Sequence, residues 1–326
     1  MRECTYIEAT RETLIDALAG DPRTVLIGAD VCGMGGRYQS AVGLRERFGP
    51  LRVRDVPMVG RAIVGVAAGA AANGARPILD LTPIETWLGA LPEIAHLLLI
   101  APKLCGERRS MPIVLRGLVG PGYSSGPFQS GHYHPLFAHL PGLRVVAPSS
   151  PTEGKGMLAA AIACDDPVLV LEPRRLLGET GPVPESPFPA TLDRAAVARV
   201  GEALTMVAYG TMVGVARRAV ETLDGLSIRA ELIDLRSLAP LDPETVIASV
   251  AKTGRVLLVD DTFGRCSIMS ELAAQIAVHA IDYLDAPIAR LDASDRPIAF
   301  SPALEWAGMP AERDIVSAAE QLMRGD

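Results

Sequence analysis

Gly60-Arg61-Ala62-Ile63-Val64-Gly65-Val66-Ala67-Ala68-Gly69-Ala70-Ala71-Ala72-Asn73, followed shortly by Arg76-Pro77-Ile78-Leu79-Asp80-Leu81, is a stretch of helical period running into an apolar strand. The pattern predicts a helix over 60–73 and a strand over 76–81. Outward from it, apolar runs rich in Val, Ile and Leu recur between longer segments of helical period, as expected for strands buried on both faces of a parallel sheet. Strands are predicted at 24–28, 111–115, 143–147 and 167–171. Helices are predicted at 7–19, 87–104 and 152–164, the last capped by Ser149-Ser150 with Pro151 near its first turn. The fold class is therefore α/β.

The segment Gly178-Glu-Thr-Gly-Pro-Val-Pro-Glu-Ser-Pro-Phe-Pro189 holds prolines and glycines that exclude a continuous helix or a central strand, and it is expected to be a linker. Beyond it a second alternation is predicted, with strands at 203–209, 228–235, 255–260 and 288–291 and helices at 213–223, 243–252, 269–280 and 312–323. The 326 residues suffice for two doubly wound domains, expected at 1–180 and 196–326 with a Pro-rich linker over 181–195.

Hydrophobic residues make up 49% of the chain, yet runs such as 62–72 and 97–101 fall short of the ~20 residues of a membrane helix. The start, Met1-Arg-Glu-Cys-Thr-Tyr-Ile-Glu8, has early acids and no apolar core, so it does not read as a targeting peptide. A soluble, cytoplasmic protein is the expectation. Cys4, Cys32, Cys105, Cys164 and Cys266 form no CxxC pair, which argues for reduced thiols rather than a disulfide framework or zinc ribbon. A net charge of −7 with dispersed Lys and Arg points away from nucleic acid.

Several words occur in one order along the chain: Val25-Leu-Ile-Gly-Ala-Asp-Val31, Asp55-x-Pro57, Ile63-Val-Gly-x-Ala-x-Gly-x-Ala-x-Asn-Gly-x-Arg-Pro77, Phe137-Ala-His-x-Pro-Gly-Leu143, Leu171-Glu-Pro173 and Asp282-Tyr-Leu-Asp-Ala-Pro287. By these words the chain resembles the beta subunit of the first component of 2-oxoacid dehydrogenase complexes, the transketolase-like layout of the pyruvate, branched-chain and acetoin enzymes. The resemblance implies a pyrimidine-binding domain followed by a transketolase C-terminal domain. It also implies an α2β2 assembly with an alpha-type subunit and thiamine diphosphate with Mg²⁺ as cofactor. Some complexes of this kind also use a lipoyl-carrying acyltransferase.

The chain contains no Gly-Asp-Gly, the word that serves Mg²⁺ and the pyrophosphate in the resembled family, so that half of the cofactor is expected from the partner. Gly33-Met34-Gly35-Gly36 reads as a tight turn in preference to a phosphate cradle. The small residues of the helix over 60–73 permit close helix contact, and in the resembled family this helix lies at subunit contacts.

The resemblance also exposes departures. Where the family carries the carboxylate that activates the aminopyrimidine, this chain has Gly60, and where it carries a second acid the chain has Ala29, with Asp30 beside it. The stretch 81–88, Leu-Thr-Pro-Ile-Glu-Thr-Trp-Leu, lacks the aromatics expected to stack on the pyrimidine. Glu85 is a candidate displaced carboxylate and Trp87 a candidate stacking surface, against the readings of a helix-capping acid and a core aromatic. Arg61 would either meet an anion or be an ordinary exposed arginine. In the long loop 117–139, Gln129 stands where the family has a histidine and cannot transfer a proton near neutral pH, whereas His132 and His134 follow within five residues. Candidate catalytic residues are thus Glu85, Gln129, His132 and His134, and candidate cofactor-binding residues Asp30, Gly60, Arg61 and Trp87. No metal site is expected on this chain, since the histidine pair has no third ligand nearby in sequence. His139 and His96 read as structural.

No G-x-G-x-x-G after a strand is present, which excludes the common dinucleotide-binding reading. The expected function is the beta-type half of a two-subunit thiamine-diphosphate enzyme acting on a small 2-oxoacid or ketose, by decarboxylation or C–C cleavage with acyl or aldehyde transfer. The alternative is a catalytically degenerate structural or regulatory subunit of such an assembly.

Overall fold

The computed structural model describes residues 1–36, 38–104, 110–186 and 188–325. Cys105, the third cysteine along the chain, and Pro187 of the expected linker lie outside these residues. The chain divides into two compact units, one formed by Met1–Gly120 with Phe128–Leu192 and the other by Pro121–Pro127 with Asp193–Asp326.

The first unit is built on strands β1 (Arg2–Thr5), β2 (Thr24–Gly28), β3 (Val53–Asp55), β4 (Arg76–Pro83), β5 (Val114–Val119), β6 (Arg144–Val146), β7 (Val168–Pro173) and β8 (Thr180–Val183). Six of these lie in the order β6-β7-β5-β4-β2-β3, every neighbouring pair parallel. Every residue of β5 and β7 is buried, the signature of strands covered on both faces. Leu14, Leu26, Ile78, Val114, Met157 and Val170 belong to the core that covers one face.

Local chemistry sets the element ends. The helix Tyr6–Gly20 opens on a capping box, in which the Glu8 amide donates to Thr5 Oγ1 at 3.2 Å and the Thr5 amide donates to the Glu8 carboxylate at 2.7 Å. The helix Pro151–Ala163 starts on Ser150, whose hydroxyl accepts from the Glu153 amide, as the Ser-Ser-Pro sequence predicts. Gly154 lets the Tyr6 ring come close, since a Cβ there would lie 2.6 Å from Tyr6 Cε2.

Three local expectations need correction. The predicted continuous helix over 87–104 is broken into Glu85–Leu88, Leu91–Glu93, a π-helical stretch Ile94–Ile100 and Ala101–Leu104. Gly89 and Pro92 interrupt it, because glycine weakens the helix and proline has no N–H to give. The strand predicted from Met111 starts only at Val114, after Pro112. The Pro-rich segment does contain a strand, β8, which pairs antiparallel with β1 alone; in a two-stranded ribbon Pro182 opposite Glu3 interrupts no central ladder.

The second unit holds β9 (Ala196–Arg199), β10 (Leu204–Ala208), β11 (Ala230–Asp234), β12 (Ser237–Ala239), β13 (Val256–Phe263) and β14 (Ala289–Ala293). Its sheet runs β14-β13-β10-β11-β9, parallel except for β9, which lies antiparallel on β11. Helices Thr211–Gly225, Pro243–Thr253, Ile268–His279 and Glu312–Arg324 accompany it, close to their predicted bounds. Leu204, Met206, Val220, Leu232, Leu257 and Ile315 belong to its core. The order places the switch in connection direction beside β10, as in doubly wound sheets.

Candidate active site

In parallel α/β sheets ligands gather beyond the carboxyl ends of the strands, and in the first unit the helix that follows β3 and the segments leaving β4 and β5 meet there. Gly60 is the first residue of the helix Gly60–Ala72, and it is buried. A Cβ built on it would lie 2.9 Å from the Thr86 carbonyl oxygen and 3.2 Å from Ala90 Cβ. The space a side chain at position 60 would need is therefore occupied by backbone. The first turn of this helix carries no acid and no side-chain cap.

The neighbour of Thr86 continues the contact. Glu85 Oε1 accepts the Gly131 amide at 2.7 Å, tying the segment after β4 to the loop after β5. Gly131 itself is tightly placed, since a Cβ would lie 2.2 Å from the Tyr133 ring and 3.0 Å from Glu85 Oε1. Next along the loop, His132 is buried and packs on Gly120, whose φ of +83° suits glycine; a Cβ there would stand 3.0 Å from His132 Cε1. His132 and His134 meet edge to face with ring centroids 5.9 Å apart. Burial, and then the neighbouring His132, hold the His134 pKa well below the ordinary histidine value, so it is a neutral imidazole at pH 7. Gly60, Thr86, Glu85, Gly131, His132 and Gly120 thus form one continuous series of bonded or touching residues.

The other candidates lie apart from that series. Trp87 is fully buried, and its indole N–H donates to the Arg116 carbonyl at 3.0 Å, so it is the core aromatic of its two readings. Arg61 is exposed and grips Glu93 through Nε at 2.8 Å and Nη2 at 2.7 Å. Asp30 is exposed with φ of +57°, and its carbonyl accepts the amides of Met34 and Gly36, which closes Gly33–Gly36 as a turn. Those amides are spent on the turn. Gln129 is half-buried, and its carbonyl accepts from the buried Arg174 guanidinium, which also donates to Tyr38 Oη at 3.2 Å. Among the described residues no group of three or more His, Cys, Asp or Glu is arranged to hold a metal.

Two further features, one in each unit, escaped the sequence reading. Asp80 on β4, Arg116 on β5 and Glu172 on β7 form a buried ionic cluster, with Arg116 Nη1 2.6 Å from Asp80 and Nη2 3.0 Å from Glu172. Arg116 also donates to Ser40 Oγ at 3.1 Å. Burial opposes the Arg116 charge, but Asp80 and Glu172 outweigh it and raise its pKa further; burial, and the nearby Asp80, raise that of Glu172 despite the arginine. Charged residues inside apolar strand runs were the available signal. The second feature lies in the other unit, where the buried Glu305 carboxylate accepts the amides of Gly122 at 3.1 Å and Ser124 at 3.3 Å and so holds that short segment.

Residues 2–180 match the family described as the transketolase pyrimidine-binding domain, and residues 193–315 the transketolase C-terminal domain. The chain is 36% identical to the acetoin:2,6-dichlorophenolindophenol oxidoreductase subunit beta of Cupriavidus necator, over 97% of this chain and 96% of that one. It is 37% identical to the 2-oxoisovalerate dehydrogenase subunit beta of Bacillus subtilis, over 99% of both. It is 35% identical to the mitochondrial pyruvate dehydrogenase E1 component subunit beta-2 of Oryza sativa subsp. japonica, over 98% of this chain and 86% of that one. In structure it is similar to a split-gene transketolase described as an inactive beta4 tetramer, with a TM-score of 0.80 at 21% identity and 98% of each chain covered, a likeness that speaks for the fold.

Proposed function

The chain belongs to the transketolase-type family of beta subunits of 2-oxoacid dehydrogenase first components, and from that premise we propose that it is the beta-type half of a two-subunit thiamine-diphosphate enzyme acting on a small 2-oxoacid or ketose. The observation that carries this reading is the extent of the likeness, which runs through both domains over 97% of the chain or more. The alpha-type partner would supply the Mg²⁺ and pyrophosphate half of the cofactor site, since this chain has no Gly-Asp-Gly. The domain division at 1–180 and 196–326, the α2β2 assembly and a lipoyl-carrying acceptor go with the same reading, as does a cytoplasmic location. Among the described residues no helix is long and apolar enough to cross a membrane.

The residues around position 60 do not fit the usual activation of an aminopyrimidine ring. The acid is absent, the Thr86 carbonyl closes its place, and Glu85 is engaged with the Gly131 amide. No catalytic step at that ring is therefore assigned to this chain. Bound substrate would instead meet the loop that carries Gln129, His132 and His134, with His134 neutral and able to donate or accept one hydrogen bond.

That same closure favours a second reading, a degenerate subunit that supports or regulates an assembly. Co-purification with the alpha-type subunit, followed by titration of thiamine diphosphate with Mg²⁺ and by thiazolium proton exchange, separates the two. Binding with accelerated exchange supports the enzyme. Binding with exchange at the solvent rate supports the degenerate subunit, and absence of binding overturns the thiamine-diphosphate reading.

A further inference from the structure

A cavity of about 420 Å³ opens in the first unit at the starting ends of β2 and β4, remote along those strands from the loops of the candidate site. It lies between the last turns of the helices Tyr6–Gly20 and Pro151–Ala163. Ala17, Gly20, Ala159 and Ala163 line it, and their small side chains leave the space open. The volume falls in the range of small-molecule sites, roughly 300–1,000 Å³.

The charges around it are not equivalent. Arg23 is held by Asp21 at 2.8 Å. Arg76 is held by Asp165 at 2.9 Å and by the carbonyls of Ile162 and Cys164. The buried Lys155 is held by Glu12 at 3.1 Å and the Pro184 carbonyl at 2.8 Å. Every lining cation is thus committed. Asp16, exposed at the edge, has no hydrogen-bond or ion-pair partner among the described residues. The carbonyls at both helix ends are already met by arginines, Leu18 by Arg52 and Ile162 and Cys164 by Arg76, so the charge preference of the cavity rests on Asp16. Thr24, fully buried and lining the cavity, has a hydroxyl oxygen without a partner among the described residues.

We propose that this cavity is a binding site for a small amphipathic primary ammonium ion, its apolar body lying against the alanine wall and its ammonium on Asp16. A carboxylate of the same size would face Asp16 and would have to displace Asp21, Asp165 or Glu12 from its cation. The site makes no use of thiamine chemistry, so it stands or falls apart from the function proposed above.

The test is calorimetric titration of n-hexylamine, as hexylammonium near neutral pH, into the full chain, with hexanoate as the charge-reversed probe. Saturable hexylammonium binding that exceeds hexanoate binding is expected. Asp16→Asn should weaken it about two- to fivefold, the range of an exposed ion pair, and Ala159→Trp should abolish it by filling the cavity. Ala163→Leu serves the same purpose if the tryptophan variant fails to fold by circular dichroism. Hexanoate binding as tightly as hexylammonium, no saturable binding to the wild-type chain, or binding unchanged in the folded cavity-filling variant would each overturn the proposal.

Discussion

The Thr86 carbonyl oxygen stands 2.9 Å from where a Cβ on Gly60 would lie. Backbone from the segment after β4 thus closes the space in which a side chain at position 60 would lie. A larger residue there has nowhere to go.

Gly60→Ala tests this directly. Alanine would ordinarily stabilise a helical position by up to ~1 kcal/mol over glycine, but the contact to a carbonyl oxygen and to Ala90 requires the backbone to shift. We expect a net loss of about 1–3 kcal/mol, as for other overpacked sites, and a larger loss for Gly60→Glu with no gain in thiazolium proton exchange. Urea denaturation of the purified chain reads the sign, and a stabilised Gly60→Ala would refute the close contact.

Glu85 tethers the loop through the Gly131 amide. Glu85→Ala should free residues 129–134 to exchange their amide hydrogens faster, at a cost of about 1.5–3 kcal/mol for a charged acceptor lost. Glu85→Gln keeps an acceptor and should restore most of the protection. Equal exchange in all three proteins would show that the tether is dispensable.

Removing the cation of the buried cluster should be more damaging than removing either acid. Arg116→Met leaves Asp80 and Glu172 together without their shared guanidinium, and breaking such a pair costs about 3–5 kcal/mol. Glu172→Gln, which leaves the Arg116–Asp80 pair, should cost less. Chemical denaturation of both variants gives the order, and a milder Arg116→Met would contradict it.

In the second unit, Tyr209 Oη donates to Asp260 Oδ1 at 2.7 Å, and burial, followed by the neighbouring Asp261, pushes the Asp260 carboxyl up to about 7. The folded chain then holds this proton between roughly pH 4 and pH 7 while the unfolded chain releases it. The contribution of Asp260 to stability is full below its unfolded pKa and falls as pH rises toward about 7. Asp260→Asn should flatten that part of the profile, so its advantage over the wild-type chain should grow from about pH 5 to about pH 8. A constant difference across that range would show that Asp260 ionises normally.

His134 has the opposite sign. Its depressed pKa means that the unfolded chain takes up a proton first as pH falls below the ordinary histidine value, so the contribution of His134 is lost on the acid side. Its imidazole resonances should stay those of a neutral ring from about pH 8 to about pH 6, and a titration centred in that interval would show the ring to be solvated.

The sequence by itself determined the α/β alternation, because strands buried on both faces must be apolar throughout, as β5 and β7 are. It also determined the family, through words scattered from Val25 to Pro287, with departures from it expected at Ala29, Gly60 and Gln129. Helix starts such as Ser150-Pro151 were legible because capping is local chemistry. The break at Gly89 and Pro92 is equally local chemistry, set within an apolar run whose period alone predicts an unbroken helix.

Only the tertiary structure decided what the departures mean. Thr86 reaches Gly60, Glu85 reaches Gly131 across 46 positions, and Arg116 joins carboxylates 36 and 56 positions away. Trp87 likewise turned inward once its N–H found the Arg116 carbonyl. Backbone periodicity is set by near neighbours and can be read along the chain. Which carbonyl fills a missing side chain's space, or which amide a carboxylate accepts, depends on loops brought together by packing of distant strands.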